Sequence, residues 1–140
     1  MRVLIDTCVI LDALQAREPF AEDANDIFLT AANHLYNGYI SAKATTDIYY
    51  LTHRYTHSDK DSREILNKLL TIFDVRDTMG IDCRRAIPSK TTDYEDAVMI
   101  ETALRSEIDC IVTRNIADYD NSPVTVYTPS EFLKIISDEN

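Results

Sequence analysis

Hydrophobic residues occur along the chain in two alternating patterns, short unbroken runs and longer stretches with a spacing of three to four residues. The runs are typical of strands buried in a parallel sheet, and they cover Val3–Ile5, Tyr39–Ser41, Ile72–Val75, Cys110–Thr113 and Val124–Tyr127. The stretches predict helices with one buried face. The resulting order, β-α-α-β-α-α-β-α-α-β-β-α, predicts an α/β fold with three layers, a central and mostly parallel sheet between two layers of helices.

Capping and breaking residues predict where the helices begin and end. The Glu18-Pro19 pair separates a first helix over residues 7–14 from a second one whose buried face runs to Leu35, and Gly38 is expected to end that second helix. A buried stripe of Ile65, Leu66, Leu69 and Leu70 predicts the fourth helix, after a cap at Ser58 or Asp59. Thr128-Pro129-Ser130-Glu131 predicts the start of the last one.

Acidic and amide side chains fall where the predicted elements begin or end. Asp6 follows the first strand, Asp47 and Asp96 lie near the starts of two helices, and Asn115 and Asp118 follow the fourth strand. Because open α/β sheets bind ligands at the carboxyl ends of their strands, we expect these side chains to converge at one edge. Asp96 also lies on the apolar side of its helix, where an ionised group is unfavourable unless it is paired or bound to a metal.

Such a cluster of carboxylates predicts a metal site. Several carboxylates in one cleft repel each other, and the repulsion is relieved either by raised pKa values or by hard divalent cations that take oxygen ligands. The cluster includes no His or Cys, the residues that favour zinc. Mg²⁺ is therefore the expected ion, and a pair of such ions about 4 Å apart can support phosphodiester hydrolysis.

Four segments of the chain resemble the motifs of the PIN domain, most closely those of VapC-like single-domain ribonuclease toxins. They are VLIDTCVILDAL, TTDIYYL, DYEDAVMIETAL and IVTRNIADY, and the segment Thr128–Leu133 is similar as well. The resemblance implies a single PIN-like domain over residues 1–140 and a Mg²⁺- or Mn²⁺-dependent endoribonuclease with an RNA substrate. It also implies a small antitoxin protein as partner, and it is compatible with a homodimer.

The resemblance assigns a role to each matching residue. Asp6 and Asp96 correspond to direct metal ligands, and Asp47 and Asp118 complete the catalytic and metal-binding set. Asp47 stands where the family commonly has Glu, so its shorter side chain is expected to reach the metal through water. Asn115 stands where many relatives have Asp, and Asp118 is the expected replacement for that ligand. Capping, supporting or additional-ligand roles fall to Asn115, Asp93, Thr7 and Thr113.

The charge balance limits how the chain can hold a nucleic acid. With 14 Lys and Arg against 24 Asp and Glu, the net charge is −10, which opposes nonspecific binding to nucleic acids and anionic membranes. RNA phosphates must then meet local cations, and Arg114 and Lys43 are the candidates nearest to the acids.

Tyr49, Tyr50 and Tyr55 could stack on bases, although tyrosines at this spacing more often pack in a core or an interface.

The three cysteines indicate the compartment. Cys8, Cys83 and Cys110 are odd in number and lack the spacing of a metal site, which predicts free thiols in a reducing, cytoplasmic environment. Neither a signal peptide nor a membrane span is expected.

Two other functions are compatible with the sequence. The first is a non-catalytic PIN-like interaction module, whose metal site is weakened by Asp47 and Asn115. The second, which has less support, is a phosphatase, because Asp6-Thr7-Cys8 resembles the nucleophile loop of haloacid-dehalogenase-like enzymes.

Overall fold

A five-stranded sheet organises the structure, a computed structural model that describes residues 1–139. The strands are β1 (Arg2–Ile5), β2 (Asn37–Ser41), β3 (Asp74–Arg76), β4 (Cys110–Val112) and β5 (Thr125–Tyr127). The helices are α1 (Thr7–Leu14), α2 (Ala21–Ala32), α3 (Ala42–Thr56), α4 (Asp59–Ile72), α5 (Gly80–Ala86), α6 (Tyr94–Arg105) and α7 (Pro129–Glu139), with a 3₁₀ turn at Ile116–Tyr119. All four strand pairings are parallel, in the order β3-β2-β1-β4-β5, which confirms the predicted fold class.

Strand β1 lies at the centre of the sheet and is covered on both faces. Val3 and Ile5 pack on one face against residues from α1, α2, α3, α4 and α7. Leu4 packs on the opposite face with Ile100 and Ala103 of α6. Because successive strand residues point to opposite faces, an unbroken apolar run is what a strand between two helix layers requires.

Helix α2 ends earlier than its pattern predicts. It stops at Ala32 because His34 takes a left-handed backbone conformation (φ 60°), and Leu35 is then 41% exposed rather than part of the buried face. Gly38 was expected to end this helix, but it lies within β2 instead. A Cβ at that position would lie 2.6 Å from Cδ1 of Phe73, so a close approach of this ring requires the glycine there.

The boundary between α4 and β3 also differs from the prediction. Ile72 is the last residue of α4, Phe73 caps that helix and is fully buried, and the strand begins at Asp74. Leu69 is buried as predicted, whereas Leu70 is 38% exposed. A short apolar run cannot distinguish a helix end from a strand, which explains the shift.

The strand order fixes where ligands can bind. From β1 the chain proceeds to β2 and β3 on one side of the sheet and later to β4 and β5 on the other. The carboxyl ends of β1 and β4 therefore flank a switch point, the usual location of a binding cleft in open α/β sheets. None of the helices within residues 1–139 combines the length and the apolar character that crossing a bilayer requires.

Candidate active site

Asp6 is held at the carboxyl end of β1 by hydrogen bonds from three sides. Its side chain caps α1 by accepting a bond from the Thr7 amide at 2.8 Å. The hydroxyl of Thr113, which is buried after β4, donates to Oδ2 at 2.7 Å, and the Cys8 thiol donates to the same oxygen at 3.6 Å. These contacts orient the carboxylate and tie the ends of β1 and β4 together.

The loop after β4 is fastened at two points. The backbone N–H of Asn115 donates to the Thr113 hydroxyl at 3.1 Å. Because the same hydroxyl donates to Asp6, it links the loop to that carboxylate. Arg114 donates from Nε and Nη2 to the two carboxylate oxygens of Asp12 at 2.8 and 3.2 Å, and its guanidinium lies 4.3 Å from the ring centre of Phe20. Arg114, one of the two predicted RNA contacts, is therefore already paired with a carboxylate that is 2% exposed.

Helix α6 brings the second acid to the cleft. Asp93 caps the helix by accepting bonds from the amides of Glu95 and Asp96, at 2.8 and 3.3 Å, which matches its predicted capping geometry. Asp96 is partly buried in the first turn. Burial and then the negative charges of Asp6, Asp93 and Asp118 raise the pKa of Asp96 to about 6. The charges of these three acids are therefore close enough to disfavour the ionised form of Asp96.

The opposite wall of the cleft is formed by α3. Ser41 caps this helix by accepting a bond from the Ala44 amide at 3.2 Å. The ammonium group of Lys43, in the first turn of α3, donates to Asp47 at 2.9 Å and also pairs with Glu95 of α6. Lys43, the other predicted RNA contact, thus bridges the two walls, and Asp47, a predicted metal ligand, has a cation beside it.

A cleft of about 490 Å³ lies between these walls. Five of the predicted site residues line it, namely Asp6, Thr7, Lys43, Asp47 and Asp96. Tyr50, Leu51, Arg54, Thr78, Val98 and Met99 also line the cleft. Asn115 and Asp118 are exposed, and Asp118 lies on the 3₁₀ turn next to this cleft, where its charge acts on Asp96.

Tyr119 belongs to the site but had no role in the sequence-based assignment. The residue is 3% exposed, and its hydroxyl donates to the sulfur of Met99 at 3.1 Å. Burial and then the charges of Asp6 and Asp96 raise the pKa of Tyr119, so the hydroxyl stays protonated beside both acids. In the sequence, only its position directly after Asp118 indicated that Tyr119 could lie at the site. An aromatic residue at such a position more often packs in the core.

The residues present suit a hard divalent cation. No group of three or more His, Cys, Asp or Glu side chains within residues 1–139 is arranged to hold a metal ion without movement. However, Mg²⁺ commonly keeps several waters and uses one or two carboxylates plus phosphate oxygens of the substrate. Asp6 and Asp96, two carboxylates that line one cleft, supply oxygen donors of this kind.

Cys8 is unsuited to act as a nucleophile despite its position. Burial, with a further contribution from Asp6, raises the pKa of the Cys8 thiol to about 11. The thiolate, which is the reactive form, is then scarce at neutral pH. All three cysteines are free thiols, as predicted.

Several solved structures have the same fold. A toxin-antitoxin complex from Klebsiella pneumoniae is 19% identical, with 91% of this chain and 97% of that chain covered and a TM-score of 0.67. VapBC2 from Rickettsia felis, bound to a DNA fragment from its promoter, is 15% identical, with 91% and 98% covered and a TM-score of 0.67. FitAcB from Neisseria gonorrhoeae is 19% identical, also with 91% and 98% covered and a TM-score of 0.67. No protein of curated function matches the sequence.

The family is established by a sequence model. A model described as PIN domain matches residues 2–117, which include β1 through β4 and the acids Asp6, Asp47 and Asp96. The predicted resemblance is thereby confirmed at the level of the family. This chain belongs to the PIN domain family.

Proposed function

We propose that the chain is a Mg²⁺- or Mn²⁺-dependent endoribonuclease that acts as the toxin of a toxin-antitoxin pair in the cytoplasm. The PIN domain family consists of nucleases, which supports hydrolysis of a phosphodiester backbone. The observation that carries the proposal is the meeting of Asp6 and Asp96, from two different elements, in one cleft at the carboxyl edge of the sheet.

Each residue of the site has a distinct part in this proposal. Asp6 and Asp96 would hold the ion, Asp118 would complete its surroundings, and Asp47 would take part through water. When bound, the ion lowers the pKa of water and neutralises charge that develops on the phosphodiester. Thr113 keeps the Asp6 carboxylate oriented through its 2.7 Å hydrogen bond.

The proposed partner is a small antitoxin protein. The similar structures from Klebsiella pneumoniae and Rickettsia felis are toxin-antitoxin complexes, and both chains are covered almost completely. A homodimer is compatible with the proposal.

A second candidate is a PIN-like module without catalytic activity. It is favoured by the lack of a preformed three-ligand group within residues 1–139 and by the Lys43 contact with Asp47. The same experiment decides between the two functions.

Cleavage of a mixed RNA pool, measured with and without Mn²⁺, tests the proposal. We expect cleavage by the wild type only with the ion, and none by Asp6→Asn. The variant should fold normally because Asn also caps helices well: its Oδ1 can accept the bond from the Thr7 amide, and its Nδ2 can donate to the Thr113 hydroxyl. Asp26→Asn, an exposed change on α2, is the matched control and should cleave like the wild type. RNA left intact by the wild type, or cleaved equally by Asp6→Asn, would refute the enzyme.

A further inference from the structure

We propose that Tyr50 and Arg54 of α3 form a subsite for single-stranded RNA, in which Tyr50 stacks on a base and Arg54 binds a phosphate beside the cleaved bond. The inference rests on the proposed function, since it names how the same cleft would hold its substrate. It differs from the sequence-based assignment of RNA contacts to Arg114 and Lys43.

The spacing along α3 places these side chains in a row that begins at the acids. Asp47, Tyr50, Leu51 and Arg54 follow one another at intervals of one to three residues and all line the cleft. With a rise of about 1.5 Å per residue, Arg54 lies about 10 Å along the helix from Asp47. A strand whose phosphate lies at the acids would therefore continue along this wall.

Arg54 is the cleft-lining cation that remains available. Lys43 is paired with Asp47 and Glu95, whereas no carboxylate lies within ion-pair distance of Arg54 among residues 1–139. Arg54 is also exposed, and it lies at the end of the wall farthest from the acids. In a chain of net charge −10, a local cation of this kind is what a phosphate requires.

Tyr50 has an exposed aromatic ring that is held in place by its contact with Tyr49. Its side chain is 66% exposed, so it contributes little to the core, contrary to the usual role of tyrosines at this spacing. Tyr49 contacts it edge to face, with ring centres 5.7 Å apart at 77°. Tyr49 is itself fixed by a hydrogen bond to Asp59 and by stacking on His53. An oriented and solvent-exposed ring suits stacking on any base.

Charge favours an RNA strand over a peptide of uniform charge as the occupant. A basic peptide would be attracted by the acids but repelled by Arg54, and an acidic peptide would be repelled by the acids. An RNA strand can place one phosphate on Arg54 and another at the acids, where a divalent ion between the phosphate and the carboxylates neutralises the repulsion. Tyr50 between the two ends then contacts the intervening base.

Binding of a fluorescein-labelled single-stranded RNA of mixed sequence tests the subsite. The measurement uses anisotropy with Mn²⁺ over a range of salt concentrations, in the Asp6→Asn background so that the probe survives. The variants are Tyr50→Ala, Tyr50→Phe and Arg54→Gln. The matched controls are Tyr55→Ala, on the same helix and 74% exposed, and Lys60→Gln, an exposed cation of α4; neither residue lines the cleft.

The two side chains should leave different signatures. Tyr50→Ala should weaken binding about 5- to 150-fold without changing the salt slope, and Tyr50→Phe should bind like its parent because the ring is kept. Arg54→Gln should reduce the salt slope by about 0.7 to 1. The two controls should match the parent.

Parental binding by both Tyr50→Ala and Arg54→Gln would overturn the subsite, as would equal losses in the controls. If these variants instead lose affinity for an antitoxin while RNA binding is unchanged, the wall is a protein interface and the inference is wrong. Cleavage by the wild type separates the two proposals. A wild type that cleaves while the variants bind normally removes only the subsite, and a wild type that neither cleaves nor binds RNA removes both.

Discussion

The carboxyl group of Asp96 has a raised pKa in the folded state. Its pKa is raised to about 6 from 3.8, first by burial and then by Asp6, Asp93 and Asp118. At pH 7 the Asp96 carboxyl group is nevertheless mostly ionised. The folded state therefore carries an unfavourable repulsion that the unfolded chain lacks. This repulsion favours the binding of a cation, and without a cation it lowers the free energy of unfolding.

This repulsion predicts a pH-dependent stability. Because the pKa of Asp96 is raised in the folded state, folding is favoured most below about pH 4, and this contribution is lost as pH rises through about 6. A shift of about two units corresponds to about 3 kcal/mol, which partial solvent contact reduces to about 1 to 2 kcal/mol. Asp96→Asn should therefore raise the free energy of unfolding at pH 7 by about that amount.

Denaturant unfolding at pH 4 and pH 7 checks this, with Asp26→Asn as the exposed control. The Asp96 substitution should be nearly neutral at pH 4 and stabilising at pH 7. If it destabilises the fold equally at both pH values, Asp96 is held by favourable contacts and the cluster is not under repulsion.

Among the elements, the pair α5 and α6 depends on one buried ion pair. Asp82 is fully buried, and Arg105 of α6 donates to it from Nε at 2.9 Å and from Nη2 at 2.9 Å. The hydroxyl of Thr102 and the Met79 amide bond to the same carboxylate. Burial alone would raise the pKa of Asp82, but these donors lower it below its usual value. The contact joins α5 to the helix that presents Asp96.

Arg105→Ala should therefore destabilise the protein by about 3 kcal/mol, because it leaves a buried carboxylate without its cation. Arg63→Ala provides the comparison, since Arg63 pairs with Asp59 at 3.0 Å on the surface and should contribute only about 0 to 1 kcal/mol. Chemical denaturation of both variants measures the difference. Equal effects of the two substitutions would mean that the Asp82 contact does not hold α5 on α6.

Elements and acids differ in how far the sequence determines them. The unbroken run Val3–Ile5 predicted a central strand, and the run lies at the centre of the sheet. Asp93 was recognisable as a cap from its local sequence, and the cap is present. Hydrophobic spacing records which face is buried, so it determines the type of each element and the layers better than it determines where α2 or α4 ends.

Pairwise contacts between distant segments were not predictable in the same way. Arg114 was assigned to RNA from its place beside Asn115, but it bonds Asp12, 102 positions earlier in the chain. Asp12 itself lies in the apolar segment TCVILDAL, and no local pattern indicates its partner. Lys43 and Glu95 are likewise 52 positions apart. Such pairs depend on how helices are juxtaposed, which only the fold determines.

For the whole molecule, net charge links metal binding to stability. The chain carries −10, and the charges of Asp6, Asp93 and Asp118 act unfavourably on Asp96, so a cation that binds only the folded state relieves a repulsion that destabilises the fold. Binding adds RT ln(1 + [L]/Kd), about 2.7 kcal/mol at a hundredfold excess over Kd. For a chain of this length that corresponds to a Tm increase of about 10 °C.

We therefore expect Tm to rise with Mn²⁺ in a saturable manner. NaCl at matched ionic strength is the control for screening, which acts on all surface charges and does not saturate at a stoichiometric site. The double variant Asp6→Asn, Asp96→Asn should begin from a higher Tm, because the repulsion is removed, and should show no further increase with Mn²⁺ beyond that of NaCl. Thermal scans at increasing Mn²⁺ measure both quantities. A wild-type Tm that follows only ionic strength, or a double variant that responds like the wild type, would show that Asp6 and Asp96 do not hold the ion.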